Sequence, residues 1–446
     1  MDPSPWSGRR LHLIGIGGAG MSGLALVATA LGAEVTGSDR AESPYMEPLR
    51  AAGIEPAIGH DAANVPDGAD VAVSTAIADD NPELVAARAA GAAVLHRGDL
   101  LAEISRLKKC VAIAGTHGKT TTACMAAHAL IGAGAAPSYV IGGELRTTGR
   151  NAEWSDGDWL VVEADESDRS FLKLTPEMAV VTNVELDHHS TYRSSLEIER
   201  AFQQFARSAG SAAAWQRAGL SEASLTYGIE EGDVAATDVR LEAGGSRFSA
   251  LGTDVELRVP GEHNVLNALA ALVACRVAGV EPAAAAAALT DFPGAKRRFE
   301  RRGTTPTGAV VYDDYAHHPT EVRATLEAAR TLGARRVIAC FQPHLYSRTR
   351  LLARQFGRAL ALADAACVLD VYPARERAED HPGVSGWLVA AATADASRGR
   401  PVYWTPAIDD AERRLTTLLR EGDVLLTLGA GNVDELAGRL VGDGGR

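Results

Sequence analysis

The sequence has no excess of basic residues, no CxxC pair, and no long apolar run without glycine. Its 446 residues carry a formal net charge of −13, which argues against a protein that coats nucleic acid or binds an anionic membrane through bulk electrostatics. The five cysteines are scattered along the chain. We therefore expect reduced thiols in a cytoplasmic protein, rather than a disulfide framework or a zinc site.

Two uncharged runs imitate membrane signals, but glycines interrupt both of them. The run over residues 11–33 follows two arginines, as in a signal peptide, yet four of its glycines form the pattern of a phosphate-binding turn. The run over residues 120–143 is long enough to cross a bilayer, but it contains four glycines and a proline. For this second run we expect a buried helix followed by a turn, and no membrane insertion.

Short apolar runs alternate with helical stretches, which predicts an α/β fold with parallel sheets. The length favours two or three domains. The pattern restarts near Lys108 and again after the proline and glycine at 293 and 294, so we predict three domains, over residues 1–106, 107–293 and 294–446. The predicted strands are 11–16, 34–37, 71–74, 92–95, 111–114, 158–162, 178–182, 309–312, 336–341, 366–369 and 424–428, and helices are predicted over 21–31 and 282–289.

A small-residue loop, GTHGKTT at 115–121, lies between a predicted strand and a predicted helix. Backbone N–H groups at a helix start can point at phosphate oxygens, and the helix dipole favours their negative charge. Lys119 would contact the β- and γ-phosphates, and the Thr120 hydroxyl would bind Mg²⁺. The strict GxxxxGK[ST] pattern fails because Ile113 replaces its first glycine. The alternative to a phosphate loop is therefore a glycine-rich turn that only reverses the chain. The predicted ATP-phosphate loop consists of Gly115, Thr116, His117, Gly118, Lys119, Thr120 and Thr121.

Carboxylates and a histidine follow two further predicted strands. Residues 163–168 read EADESD directly after one strand, and His188 follows the other among further polar residues. Carboxylates at the carboxyl end of a strand beside a phosphate loop are suited to Mg²⁺. An acidic surface loop and a structural histidine are the alternatives. We favour a metal or phosphate site that includes Glu163 and His188.

The N-terminal segment GIGGAG at 15–20 lies between a predicted strand and a predicted helix, and Asp39 follows nineteen residues after Gly20. Read alone, this pattern is the dinucleotide fingerprint and predicts a dehydrogenase. Such a motif requires of its ligand only a diphosphate, which binds at the helix N-terminus, and a ribose, which lies near the acidic side chain. A UDP-sugar meets both requirements, so the motif does not choose between NAD and UDP.

Together with further motifs, these segments resemble the Mur ligase family over residues 11–433. The further motifs are TNVELDH at 182–188, GEHNVLN at 261–267, KRRF at 296–299, DDYAHHPTE at 313–321 and FQPHLYSRT at 341–349. The resemblance implies an N-terminal Rossmann-like domain for the UDP-sugar and a central P-loop-type ATPase α/β domain for MgATP. It also implies a C-terminal Rossmann-like domain that admits the amino acid and closes over the site.

The activity that this resemblance implies is ATP-dependent ligation. The lactyl carboxylate of UDP-N-acetylmuramate would become an acyl phosphate and then react with L-alanine, giving ADP and phosphate in peptidoglycan precursor synthesis. ATP and Mg²⁺ would be required, and the chain would be a monomer or a homodimer. The nearest alternative is a recycling ligase that adds a tripeptide. The FQPHLYSRT segment favours addition of a single alanine instead. A dehydrogenase would leave the 115–121 loop unexplained, and a silent nucleotide-binding regulator would not need Glu163, His188 and His317.

The resemblance also implies roles for single residues. The UDP-sugar would lie near Gly15, Gly17, Gly18, Ala19, Gly20, Met21, Ser22, Asp39, Ser74, Thr75 and Arg97. One magnesium ion would be bound by Glu163 and His188, and Thr120 would bind the magnesium ion that accompanies ATP. Lys119, Arg298 and Asp314 would contact ATP, with Asn183 near its γ-phosphate and Asn264 near its adenine.

On the amino-acid side, the resemblance implies that His317, His344 and Arg348 contact the alanine and the developing tetrahedral charge. His317 could accept the proton of the amine, because histidine titrates near neutral pH; packing within its own segment is the alternative. Two departures from relatives are visible. No lysine lies between Lys173 and Lys296, so the carboxylated lysine of other branches is absent, and Leu345 replaces a basic residue that some relatives carry.

Overall fold

A computed structural model describes residues 5–189 and 191–442. The chain folds into two compact units. The first comprises the residues up to Thr237 together with Ser249–Val255 and Leu266–Phe292, and the second comprises Asp238–Phe248, Glu256–Val265 and the residues from Pro293 onward. The strands within the described residues form three sheets, which confirms the predicted α/β fold with three sheet-containing domains. The bounds 1–106, 107–293 and 294–446 remain predictions, and their first four and last four residues lie outside the described part.

The first sheet is parallel and has the strand order β3-β2-β1-β4-β5, which is the 3-2-1-4-5-6 order of a Rossmann fold without its sixth strand. Its strands are β1 (Arg10–Ile14), β2 (Glu34–Asp39), β3 (Ala57–Ile58), β4 (Asp70–Val73) and β5 (Val94–His96). Its helices are α1 (Ala19–Ala30), α2 (Met46–Ala51), α3 (Pro82–Ala89) and α4 (Arg97–Ser105). Strand β1 ends two residues before its predicted end, because Gly15 turns the chain with a φ of +82°.

The second sheet has the strand order β8-β7-β9-β6-β10-β11-β12, followed by β13, β14 and β15. Its strands are β6 (Lys109–Ala114), β7 (Ser138–Leu145), β8 (Arg150–Glu153), β9 (Trp159–Glu163), β10 (Met178–Val181), β11 (Ser211–Trp215), β12 (Leu225–Ile229), β13 (Val234–Glu242), β14 (Gly245–Ala250) and β15 (Thr253–Leu257). The helices along this part of the chain are α5 (Lys119–Gly132), α6 (Ser195–Arg207), α7 (Glu262–Val277) and α8 (Pro282–Thr290). The expected turn after α5 is present, but Gly142 and Gly143 lie in β7 and not in that turn.

Strand β6 lies in the interior of this sheet, paired in parallel with β9 on one side and β10 on the other. Its residues from Cys110 to Ala114 are fully buried or nearly so, as expected for a strand covered on both faces. The register pairs Ile113 with Glu163 and Ala114 with Val181. The carboxyl ends of all three strands therefore meet at one edge of the sheet, where α/β proteins bind their ligands.

The third sheet has the strand order β16-β17-β21-β18-β19-β20, in which only β16 is antiparallel to its neighbour. Its strands are β16 (Glu300–Thr304), β17 (Val310–Asp314), β18 (Arg336–Phe341), β19 (Ala365–Val368), β20 (Val402–Trp404) and β21 (Asp423–Leu428). Its helices are α9 (Pro319–Arg330), α10 (Tyr346–Leu360), α11 (Gly386–Ala396), α12 (Ile408–Leu418) and α13 (Asp434–Val441). Apolar clusters fill both faces of this sheet.

One continuous hydrophobic core serves the first two sheets, and it includes Leu13 of β1, Leu24 of α1 and Val162 of β9. Helix α1 approaches the second sheet closely at Gly23, where an added Cβ would lie 3.3 Å from the Ala152 side chain. All five cysteines are buried with free thiols. Among residues 5–189 and 191–442, no helix combines the length and the hydrophobicity that a bilayer span requires.

Candidate active site

The predicted phosphate loop connects β6 to α5 and depends on two glycines. Gly115 has a φ of +138° and Gly118 a φ of +81°, conformations that other residues rarely adopt. A Cβ on Gly115 would lie 1.9 Å from the Thr182 hydroxyl, and one on Gly118 would lie 2.6 Å from Oδ1 of Asn267. Both the backbone conformation and the neighbouring side chains therefore require glycine at these positions.

Residues that follow β10 hold the loop backbone in place. The His117 N–H donates to Oδ1 of Asn183 at 2.9 Å, and Nδ2 of Asn183 donates to the His117 carbonyl at 2.9 Å. The Thr116 hydroxyl donates to the Glu185 carbonyl at 3.0 Å and accepts from the Glu185 N–H at 2.9 Å. Asn183, which the resemblance places near the γ-phosphate, thus shapes the loop through a two-way amide contact.

The Lys119 ammonium lies at the inner side of the loop. Its Nζ donates to the Gly115 carbonyl at 2.7 Å and lies 2.8 Å from Oε2 of Glu166, a fully buried carboxylate. Burial lowers the Lys119 pKa, but the carboxylates of Glu166, Asp165 and Glu163 outweigh it and raise the pKa above its usual value. Lys119 is therefore charged at neutral pH. The EADESD pattern pointed to this segment but could not show that Glu166 is the residue that pairs with Lys119.

Thr120 and Glu163 form a pair of oxygen donors beside the loop. The Thr120 hydroxyl donates to Oε1 of Glu163 at 3.0 Å, and Oε2 of Glu163 accepts from the Gly142 N–H at 2.8 Å. Hydroxyl and carboxylate oxygens are the ligands that Mg²⁺ prefers. These oxygen donors fit magnesium, which the sequence predicts at both residues.

His188, the third predicted magnesium ligand, lies next to a different carboxylate. Its Nε2 is 3.3 Å from Oε1 of Glu166, and its backbone φ of +50° is unusual for a residue other than glycine. Imidazole nitrogen suits zinc, copper or iron better than magnesium. The structure brings His188 into the same acidic cluster, and its role as a magnesium ligand remains a prediction.

Arg97 connects the acidic segment to the N-terminal glycine turn. Its Nη2 lies 2.5 Å from Asp165 and 2.7 Å from Asp168, while an added Cβ on Gly20 would lie 3.4 Å from its Nη1. Burial opposes ionisation of Asp165, but the charges of Arg97 and Lys119 outweigh it and keep the Asp165 pKa well below its usual range. The guanidinium that was predicted to lie near the UDP-sugar is thus already paired with two carboxylates.

Asp39 at the end of β2 supports the glycine turn directly. Its Oδ2 accepts from the Gly17 N–H at 3.0 Å, and the Ser43 hydroxyl donates to the Gly17 carbonyl at 2.7 Å. A Cβ on Gly17 would lie within 3.0 Å of Met46, Ser43 and Asp39. Glycine is therefore needed at this position because other side chains fill the space around it.

The other residues predicted near the UDP-sugar lie around this turn and at the end of β4. Gly15 forms the turn, and Gly18 immediately precedes α1. The first residues of α1 are tied to the second sheet by Asn151, whose Nδ2 donates to the Ala19 carbonyl at 2.6 Å and to the Ser22 hydroxyl at 2.9 Å. Met21 is buried in α1, whereas Ser74 and Thr75 follow β4. Their contacts with a ligand remain predictions.

In the second unit, the three side chains predicted for the amino-acid side lie together. The ring centroids of His317 and His344 are 5.9 Å apart, and Nη1 of Arg348 lies 3.2 Å from Nδ1 of His344. These residues follow β17 and β18, whose carboxyl ends lie at one edge of the third sheet. Tyr372, which the sequence did not single out, stacks on His344 with a centroid distance of 5.9 Å. The Leu345 side chain is apolar and buried, so it supplies no polar group here.

Asp314, which is predicted to face ATP, accepts hydrogen bonds from the backbone of two neighbouring segments. Its two carboxylate oxygens accept from the Phe299 N–H and the Ala316 N–H, both at 2.8 Å. Burial raises the pKa of Asp314 to about 6, against the opposing charge of Arg298. Two predicted motifs, KRRF and DDYAHHPTE, thus meet at Asp314. Asn264, at the start of α7, donates through Nδ2 to the Pro260 carbonyl at 2.8 Å, and its contact with adenine remains a prediction.

Three family profiles match consecutive parts of the chain. The Mur ligase family catalytic domain matches residues 10–109, the Mur ligase middle domain matches 113–275, and the glutamate ligase domain of Mur ligases matches 297–431. Together they cover the three sheets described above, including the phosphate loop and both histidine-containing segments.

Full-length relatives agree with these profiles. The UDP-N-acetylmuramate–L-alanine ligase of Paenarthrobacter aurescens (strain TC1) is 45% identical over 95% of this chain and 94% of its own. The crystal structure of the UDP-N-acetylmuramate-alanine ligase from Thermotoga maritima superposes with a TM-score of 0.84 at 30% identity, covering 97% of this chain and 98% of that one. A murein peptide ligase from Psychrobacter arcticus 273-4 gives a TM-score of 0.72 at 26% identity, with the same two coverages. Profiles, relatives and structures agree that this chain belongs to the Mur ligase family.

Proposed function

We propose that this protein uses ATP to join L-alanine to the lactyl carboxylate of UDP-N-acetylmuramate, a step in peptidoglycan precursor synthesis. The observation that carries the proposal is the 45% identity, over nearly the whole chain, to a relative with that name. The reaction passes through an acyl phosphate: the carboxylate attacks the γ-phosphorus of ATP and ADP leaves. The amine of alanine then attacks the carbonyl carbon, and phosphate is released.

The phosphate loop supports the first of these steps. Two anions approach each other, so positive charge has to be in place before they react. Lys119 supplies it, since Glu166 keeps the ammonium charged and Gly115 holds it beside the start of α5. Thr120 and Glu163 would hold Mg²⁺, which when bound adds charge neutralisation at the phosphates.

The residues after β17 and β18 support the second step, which requires a neutral amine. Nδ1 of His317 lies 2.9 Å from the Tyr315 carbonyl, which can only accept a hydrogen bond. Nδ1 therefore carries the proton in neutral His317, and Nε2 is the basic nitrogen. We assign removal of the amine proton to this nitrogen, and stabilisation of the tetrahedral charge to Arg348 next to His344.

The free thiols of the five buried cysteines and the requirement for ATP support a cytoplasmic location.

Asp39→Ala tests the placement of the UDP-sugar at the glycine turn. Loss of the carboxylate that holds the Gly17 N–H should raise the KM for UDP-N-acetylmuramate about 10-fold, with the KM for ATP unchanged within about two-fold. Steady-state kinetics with each substrate varied in turn provide the measurement. Glu47→Ala, which removes an exposed carboxylate from α2, is the control. An unchanged KM for the sugar nucleotide would count against this placement.

The proposed reaction is tested by phosphate release from ATP with UDP-N-acetylmuramate present. Release should require L-alanine, should not be supported by the tripeptide of a recycling ligase, and should be at background level without an amine. Release with the tripeptide but not with alanine would make the protein a recycling ligase. No ATP turnover under any condition would refute the proposal.

A further inference from the structure

A buried polar cluster lies in the first sheet, outside the residues assigned above. Its centre is Glu83 in the first turn of α3, whose side chain is fully buried. Oε2 of Glu83 accepts from the Ser38 hydroxyl at 2.5 Å and lies 3.4 Å from Nε2 of His12 and 3.5 Å from Nδ1 of His60. Oε1 accepts from Nδ2 of Asn64 at 2.6 Å. One carboxylate thus joins β1, β2, the segment after β3, and α3.

The cluster has the residue types of a serine hydrolase triad, but its geometry does not support nucleophilic catalysis. In such a triad, the histidine lies between the serine and the carboxylate. Here Ser38 donates directly to Glu83 and is completely buried, so no substrate can reach its hydroxyl. The cluster therefore acts through the backbone that it holds in place.

That backbone leads to Asp39. Ser38 precedes Asp39 at the carboxyl end of β2, so the Ser38–Glu83 bond fixes the strand where the Asp39 side chain begins. A second route passes through Asn64, whose Nδ2 also lies 3.2 Å from the Gly59 carbonyl. The Gly59 N–H donates in turn to the Asp39 carbonyl at 2.8 Å. Both routes end at the residue whose carboxylate holds the glycine turn.

Glu83 is well suited to this task because it is ionised. Burial alone would raise its pKa, but the hydrogen bonds from His12, Ser38 and Asn64 outweigh burial and lower the pKa to about 2. An ionised carboxylate has no hydrogen to donate and accepts on both oxygens, which matches donors on both sides. A glutamine amide in its place would present its NH₂ group, which is a donor, to donors on one side.

We propose that Glu83 is a positioning residue for the sugar nucleotide, which fixes Asp39 against the glycine turn from the opposite side of β2. The inference rests on the proposed function only in the identity of the ligand. It assigns a role in substrate binding to Glu83, which is fully buried in the first unit behind the strand that carries Asp39.

Two variants test the inference. Glu83→Gln keeps the shape of the side chain but places an amide where only an acceptor fits, and it should raise the KM for UDP-N-acetylmuramate about 10-fold. Ser38→Ala removes the β2 hydroxyl that bonds to Glu83 and to Nδ1 of His60, and it should raise the same KM about three-fold. In both variants kcat and the KM for ATP should stay within about two-fold of the wild type. Asp79→Asn, which changes an exposed carboxylate paired with Arg88, is the matched control and should change none of these values.

The dissociation constant for UDP-N-acetylmuramate, measured by calorimetry without ATP or alanine, should rise in parallel with KM. Circular dichroism and thermal melting identify any variant that fails to fold, and if Glu83→Gln does so, Ser38→Ala decides. Unchanged affinity in a folded variant would overturn the inference. A fall in kcat together with a similar rise in both KM values would also overturn it, because that pattern indicates a purely structural role. Failure of the proposed function would appear separately, as a wild type that binds the sugar nucleotide but releases no phosphate.

Discussion

Lys119→Ala is expected to lower kcat/KM for ATP about 1,000-fold or more, which corresponds to about 4 kcal/mol of transition-state stabilisation. Lys119 is the cation of the phosphate loop, and its ammonium is held by the Gly115 carbonyl and by Glu166. Lys173→Ala is the matched control, since this lysine is partly exposed and pairs with Asp99 on the surface. More than about a tenth of wild-type activity in Lys119→Ala would show that the loop is not the ATP site.

The same substitution should also reduce stability, which the loop motif alone does not predict. Glu166 is fully buried, and removal of the cation from a buried pair costs about 3 kcal/mol or more. A double variant, Lys119→Met with Glu166→Gln, removes both charges. It should recover much of the free energy of unfolding that Lys119→Ala loses, as measured by urea unfolding, without recovering activity. Recovery of both properties would mean that Lys119 acts only through stability.

Gly115→Ala is expected to abolish activity by distorting the phosphate loop. The new Cβ would lie 1.9 Å from the Thr182 hydroxyl at a φ of +138°, so both sterics and backbone strain oppose it. We expect activity to fall more than about 100-fold, and stability to fall by about 3 kcal/mol. Phosphate release and urea unfolding measure the two effects.

Gly134→Ala is the control for Gly115→Ala, because Gly134 also has a positive φ, +78°, but has no atom within 4 Å of the added Cβ. It should cost about 1 kcal/mol from backbone strain alone and leave activity intact. Thr182→Ala in the Gly115→Ala background removes the clashing hydroxyl and should recover part of the lost stability. Equal effects of the two glycine substitutions would contradict the steric explanation.

The sequence predicts the strands of this fold well where they are buried on both faces. Strand 336–341 has its predicted bounds, and Lys109–Ala114 contains the predicted 111–114, because continuous apolar runs flanked by glycine or polar residues have few other interpretations. Strands such as β7 were missed. Its sequence contains Gly142 and Gly143, which favour a turn locally, but the close approach of Glu163 and Thr120 requires small residues there.

The candidate site was predictable as a set of segments but not as a set of contacts. The sequence placed Lys119, Glu163 and His188 at one edge of one sheet, because parallel strands align their carboxyl ends. It could not show which carboxylate meets which partner. Glu163 and Glu166 are three residues apart, and the chain between them determines that Glu163 meets Thr120 while Glu166 meets Lys119 and His188.

Long-range partners were the least predictable part of the site. The placement of Arg97 near the sugar nucleotide stays a prediction. The sequence does not predict that its guanidinium pairs with Asp165 and Asp168, about seventy residues later in the chain. Glu83 and Tyr372 carry no motif, and only the fold shows that Glu83 bonds to Ser38, next to Asp39, and that Tyr372 stacks on His344. Such contacts depend on packing between elements, which local periodicity does not encode.

The central claim, that the phosphate loop activates a carboxylate as an acyl phosphate, is tested most directly by isotope transfer. UDP-N-acetylmuramate labelled with ¹⁸O in its lactyl carboxylate is incubated with the enzyme, ATP, Mg²⁺ and L-alanine, and the released phosphate is analysed by mass spectrometry. Attack by the carboxylate on the γ-phosphorus, followed by displacement by the amine, must carry one labelled oxygen into each phosphate. We predict one ¹⁸O per phosphate released; unlabelled phosphate, or label found in AMP, would contradict the account.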